Sequence, residues 1–217
     1  ILLTLTILLI LLVKNKSNII EINIFFQSKN IIDNEAYIKN RILNKEECQN
    51  IINIGNKYSY DLSEEIVDNK PLYQIDILTD TNDICNKELW NYIQPIYKEK
   101  IIPLTHKFSK NIYKVELDFL FFRKYNSKER KDISVHTDSN KLSVNILLSS
   151  RSDYNGGDFY IFNNQLTNKY INYYERKLVN NEYKKLEFIK SFKKLPIVNM
   201  SQGDVILFTG EHHLHGV

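Results

Sequence analysis

Leu142-Ser143-Val144-Asn145-Ile146-Leu147-Leu148-Ser149 is the stretch on which the fold turns. Leu142, Val144, Ile146 and Leu148 fall on one side and Ser143, Asn145, Leu147 and Ser149 on the other. That is the two-residue period of a strand rather than the longer period of a helix. Just upstream stands His136-Thr137-Asp138, at the entrance to the run. Side chains at i and i+2 of an extended segment project from one face, so His136 and Asp138 can converge on one point. Downstream, Asp153-Tyr154-Asn155-Gly156-Gly157 is a turn signal, and Asp158 to Phe162 is expected to form the next strand.

Working outward, Val115, Leu117, Phe119 and Phe121 alternate with Glu116, Asp118, Leu120 and Phe122. This spacing predicts a largely buried strand ending at Arg123-Lys124-Tyr125, followed by a polar connection from Asn126 to Asp132. A last strand, Asp204 to Phe208, is introduced by Gln202-Gly203. Ahead of the strands the period is helical. Asn44-Lys45-Glu46-Glu47 has the form of a capping box, and Cys48, Ile51, Ile52 and Ile54 to Tyr58 behind it predict an amphipathic helix. A short strand is expected at Tyr73 to Leu78. A second helix is expected from Lys87 to Lys100, with Pro95 kinking it or marking its real start. Helices first and strands afterwards predict an α+β fold with an antiparallel sheet system.

The chemistry lies in the histidines. An H-x-D triplet alone also fits a solvated turn, so a third ligand is needed to make His136 and Asp138 a metal site. The tail Glu211-His212-His213-Leu214-His215 offers several. Two imidazoles and a carboxylate on one face of an octahedral ion leave three positions open, the arrangement used by non-haem Fe(II) oxygenases. Spacing alone does not choose among His212, His213 and His215.

The remaining composition sets bounds. A chain of 217 residues with 43% hydrophobic content suits one domain with a sizeable core, with room for a short appendage. A formal charge of +3 is too mild to argue for a nucleic-acid partner. Cys48 and Cys85 match neither a zinc spacing nor a disulfide framework, and Cys48 among apolar helical positions reads as a small core residue. Ile1 to Val13 is apolar except for two threonines and is followed by Lys14-Asn15-Lys16. It reads as the remnant of a signal sequence or signal anchor, residues 1–16, which implies possible membrane anchoring and delivery to a lumen; a buried strand or core helix is the alternative. The chain opens on Ile rather than Met, so its true start is expected upstream. Residues 17–43 are expected to be a linker or a peripheral strand, with a strand at Ile20 to Phe26. Residues 163–199 form a polar insert whose Tyr170, Tyr173 and Tyr174 either face a substrate or decorate an extended strand pair or helix.

Taken in order, Phe-Arg-Lys-Tyr at 122–125, His-Thr-Asp at 136–138, Asp-Tyr-Asn-Gly-Gly-Asp-Phe at 153–159, Gln-Gly-Asp-Val-Ile-Leu-Phe at 202–208 and the terminal His215-Gly216 form a pattern. The pattern resembles the Fe(II)/2-oxoglutarate dioxygenases of the prolyl and lysyl hydroxylase type. Within that group it is most similar to the catalytic domain of procollagen lysyl hydroxylases. Gln74-Ile75-Asp76-Ile77, Val144-Asn145-Ile146 and His213-Leu214-His215 add to the likeness, which runs from about Asn44 to Val217.

The resemblance implies a double-stranded β-helix, or jelly roll, fronted by helices and occupying 44–217. It assigns iron to His136, Asp138 and His215, through the match of His215-Gly216 to the family's terminal histidine, and leaves His213 as the second choice. It makes Tyr125 a contact to 2-oxoglutarate; an ordinary sheet tyrosine is the alternative. Fe(II), 2-oxoglutarate, O2 and ascorbate are the cofactors and cosubstrates it implies. The family also carries a basic residue about ten positions beyond that histidine, paired with the far carboxylate of 2-oxoglutarate. Such a position lies past Val217, so the chain is expected to be a fragment incomplete at its C-terminus, able to hold iron and weak toward the cosubstrate. The implied reaction is hydroxylation of peptidyl lysine in collagen-like chains, in the endoplasmic reticulum or elsewhere in the secretory pathway. Peptidyl-proline 4-hydroxylation on the same iron core is one alternative. A non-catalytic jelly-roll binding module, with structural or zinc-bound histidines, is the other.

Overall fold

A computed structural model of the chain describes residues 18–27, 36–108, 116–163, 167, 187, 189–192 and 194–217. The apolar run Ile1 to Val13 and the tyrosines Tyr170, Tyr173 and Tyr174 lie outside them. Alternating residues become strands as expected. The sheet strands are β1 (Asn18–Gln27), β2 (Tyr37–Lys39), β3 (Gln74–Leu78), β4 (Glu116–Asn126), β5 (Leu142–Leu147) and β7 (Val205–Phe208). They form one six-stranded antiparallel sheet in the order β2-β7-β5-β1-β4-β3. A second, two-stranded antiparallel sheet pairs β6 (Tyr160–Ile161) with β8 (His215–Gly216). The expected strand over Asp158–Phe162 is thus shorter than the sequence suggests.

The helices fall between β2 and β4 along the chain. Helix α1 (Lys45–Gly55) starts with the capping box: Asn44 Oδ1 accepts from the Glu47 amide at 2.9 Å, and the Glu47 carboxylate accepts from the Asn44 amide at 2.8 Å. Helix α2 (Lys87–Ile96) is capped by Asn86, whose side chain accepts from the Leu89 amide. Instead of ending near Lys100, the helical path widens into a π-helical turn at Tyr97–Ile101 and continues as α3 (Ile102–Phe108). Pro95 and Pro103, neither able to donate to a helical ladder, bracket the widened turn. No helix among the described residues is long and apolar enough to cross a membrane.

The sheet's two faces differ. On one, Ile20, Ile22 and Ile24 of β1 join Leu120 and Phe122 of β4 and Val144 and Ile146 of β5 against Cys48, Ile51, Leu89 and Ile93 of the helices. Each such side chain, fully buried, contributes about 1.5–3 kcal/mol. Gly55 lets α1 approach closely, because a Cβ there would lie 2.5 Å from the Phe122 ring. On the other face Ile19, Tyr125, Leu147, Ile206 and Phe208 pack with Ile133, Tyr154, Phe159 and Met200 from the segments around the smaller sheet. The result is a mixed α+β fold with two β layers, compatible with a β-sandwich.

One expectation needs correction. Residues 17–43 read as a linker or peripheral strand, yet β1 lies in the interior of the sheet, with Glu21 opposite both Arg123 and Leu147. Its isoleucines are the reason: Ile20, Ile22 and Ile24, each nearly inaccessible, supply the middle of the helix-covered core. Cys48 is buried and Cys85 exposed, and both are free thiols.

Candidate metal centre

His136 and His215 face each other across a backbone bridge. The His136 amide donates to the His215 carbonyl at 3.0 Å and the His215 amide to the His136 carbonyl at 2.9 Å. Residues paired in this way send their side chains to one face, and the two imidazole centroids lie 4.2 Å apart. Gly216 follows His215 where a Cβ would meet the Tyr160 hydroxyl at 2.3 Å, so only glycine fits beside the ligand. Two residues beyond His136, the Asp138 amide donates to the Gly210 carbonyl at 3.1 Å, fixing the third side chain.

The side chains then converge. Asp138 Oδ1 is 3.4 Å from His136 Nε2 and 3.5 Å from His215 Nε2, and one ligand atom from each residue lies within 4.8 Å of the others. Donor atoms bound cis to one metal ion at about 2.1 Å sit about 3 Å apart, so a small closure would suffice. His136 Nδ1 is 2.8 Å from the Ser134 carbonyl and His215 Nδ1 is 3.0 Å from the His213 carbonyl. A carbonyl only accepts, so both Nδ1 atoms carry hydrogen; each ring that is neutral then leaves its Nε2 lone pair for an ion, and each that is protonated donates from Nε2 to Asp138 instead. The Ser143 hydroxyl donates to Asp138 Oδ2. His215 is further held between the rings of Phe208 and Phe159, at 4.7 and 5.7 Å.

Electrostatics agree with that arrangement. Burial opposes the Asp138 carboxylate, but the nearby His215 and the hydrogen bonds from both imidazoles outweigh it and hold the group well below the usual carboxylate range. Burial, and then His215, push the His136 imidazole down toward its neutral form. For His215 burial acts in the same direction, but the Asp138 carboxylate overcomes it and raises the group. These residues can hold a divalent metal ion, a donor set compatible with iron.

The other expected residues divide. Tyr125 is buried on β4, facing the same cavity as Glu21 and Arg123. His213, the second choice, stands outside the cluster: its Nδ1 lies 2.7 Å from Thr209 Oγ1 and its side chain is fully buried. The cavity that His136, Asp138 and His215 open onto has a volume of about 440 Å³. Its walls include Glu21 and Asn23 from β1, Arg123 from β4, Asn145 from β5 and Glu65 from the loop before β3. Glu21, Asn23 and Glu65 were not singled out from sequence, and Arg123 and Asn145 entered only within longer matched stretches; Arg123 shares a strand face with Tyr125, two residues on.

No protein-family model matches the chain, and no curated protein matches it.

Proposed function

We propose that the chain is an Fe(II)/2-oxoglutarate-dependent peptidyl hydroxylase built on a double-stranded β-helix, acting on lysine in collagen-like chains of the secretory pathway, with ascorbate as a supporting reductant. One observation carries the proposal: two imidazole nitrogens and one carboxylate oxygen converge at the wall of a cavity large enough for a small acid. Two nitrogens and a hard oxygen suit Fe(II) and leave open positions for ligands, whereas a thiolate-rich set would favour zinc.

His136, Asp138 and His215 would hold the iron. With 2-oxoglutarate and O2, iron so held supplies an oxidant strong enough to take hydrogen from an unactivated C–H bond. The protein's own work is positioning. The carbonyls of Ser134 and His213 keep the imidazoles in the metal-binding tautomer, and Ser143 keeps Asp138 from rotating. Tyr125 offers a hydroxyl to the cosubstrate inside a wall that excludes water. The second reading, proline as the target, draws on the aromatic wall: Phe25, Phe119 and Phe121 line the cavity, with ring centroids 5.3 Å apart for Phe25–Phe121 and for Phe119–Phe121. A pyrrolidine ring buries its apolar surface against such a wall.

The test is incubation of the chain with Fe(II), 2-oxoglutarate, ascorbate and Gly-X-Lys or Gly-X-Pro peptides. Succinate release is followed, and the added oxygen is located by mass spectrometry. Release that requires Fe(II) and disappears in Asp138→Ala supports the proposal, and the oxidised residue chooses between lysine and proline. Absence of Fe(II)-dependent succinate with every peptide, at concentrations where Fe(II) and 2-oxoglutarate are shown to bind, leaves the non-catalytic binding module as the better account.

A further inference from the structure

Three neighbouring strands place Gln74, Arg123 and Glu21 side by side in register, on the face that looks toward the metal-competent residues. All three are buried. The Arg123 guanidinium lies 4.8 Å above the Phe121 ring, and its Nη2 donates to Glu65 at 2.8 Å and to Gln74 at 2.5 Å. Its Nε is buried with no hydrogen-bond partner. On the same face Asn145 Oδ1 is likewise buried and unpartnered. An unspent donor or acceptor in the interior is costly, and a guanidinium keeps its charge at any physiological pH. The Arg123 side chain lines the cavity, and a planar guanidinium there is matched by a carboxylate.

We propose that Arg123 anchors a carboxylate of the small acid that this cavity takes. The proposal relies on the dioxygenase reading only for the acid's identity, 2-oxoglutarate. Glu65 is the competitor: its carboxylate already sits on the guanidinium, reached from a loop at the cavity's mouth, and a ligand would share or replace it. Glu21 competes less, because burial pushes its carboxyl up toward the neutral form.

The experiment separates this role from the metal. Glutarate, which has two carboxylates but no oxo group to chelate iron, is titrated calorimetrically into the full chain in EDTA. Glutarate is expected to bind, Arg123→Gln to weaken it about tenfold or more, and Arg123→Lys to fall between, since an ammonium cannot form the bidentate pair. Glu65→Gln, which removes the competitor and keeps the hydrogen bond, is expected to tighten it. Failure of the wild type to bind glutarate, equal binding by Arg123→Gln, or weaker binding by Glu65→Gln overturns the proposal. Should Arg123→Gln not fold, the wild type and Glu65→Gln decide. Co(II) titration answers the other question: no Co(II) binding, with glutarate binding intact, overturns the dioxygenase reading and leaves the role of Arg123 standing.

Discussion

The two faces of the six-stranded sheet are made by the same strands and serve opposite ends. Toward the helices β1, β4 and β5 present Ile22, Phe122 and Val144, all nearly or fully inaccessible and all apolar. Toward the smaller sheet the same strands present Glu21, Arg123 and Asn145, buried almost as deeply but polar. The centre of the first face is apolar and gains from water removal. The second surrounds a cavity and holds its polar groups through one another, leaving two atoms unspent. Stability therefore resides on the helix side, and the candidate metal centre on the other.

Substitutions on each face sharpen that contrast. Phe122→Ala should have the largest effect, a loss of about 3–5 kcal/mol in urea unfolding, because Phe122 is fully buried and fitted against Gly55. Co(II) affinity of the folded fraction should be unchanged. A drop in affinity matching the loss of stability would show that the two faces are not separable. Ser143→Ala should do the reverse, since its hydroxyl touches Asp138 rather than the helix-side core. Metal affinity should fall about tenfold, the usual effect of removing a group that orients a ligand, with a much smaller change in unfolding midpoint.

The smallest effect lies away from both faces. The Glu47 carboxylate is partly desolvated, but its hydrogen bonds with Lys100 and the Asn44 amide prevail and lower its pKa in the folded chain below the ordinary 4.5. A carboxylate depressed by folding contributes stability above its unfolded value and loses it as pH falls through the folded one. Glu47→Gln should therefore be less stable by about 1 kcal/mol at most at neutral pH. The gap should close as the solution is acidified below about pH 4. Unfolding curves of the two proteins across that range check the sign.

Much of this arrangement is legible in the sequence where period and chemistry coincide. His136 and Asp138 share a face because they are two apart, and the capping box at Asn44 announces α1. The histidine from the tail needed more than spacing, since three candidates stand within four residues of one another; the backbone bridge at His136 and His215 brings one of them to the cluster. Glu21, Asn23 and Arg123 stayed hidden for a different reason. A polar residue alternating with isoleucine or phenylalanine normally marks a solvated face, and nothing local reveals that a second layer covers it. The place of β1 was hidden too, because alternation identifies a strand but not its neighbours. Past Pro95 the helix continued through a widened turn, a compensation that proline placement alone does not disclose.

The interior place of β1 has a consequence for how the chain is made. Its partners are β4 and β5, so the earliest of these segments to leave the ribosome must wait, unpaired, until β4 has emerged, and keeps one edge open until Leu147 follows. Distant pairings of this kind form slowly and leave apolar strand exposed meanwhile. A chain started after residue 27 would lack the central rung, leaving β4 and β5 with naked edges facing each other and open to capture by another molecule's strand.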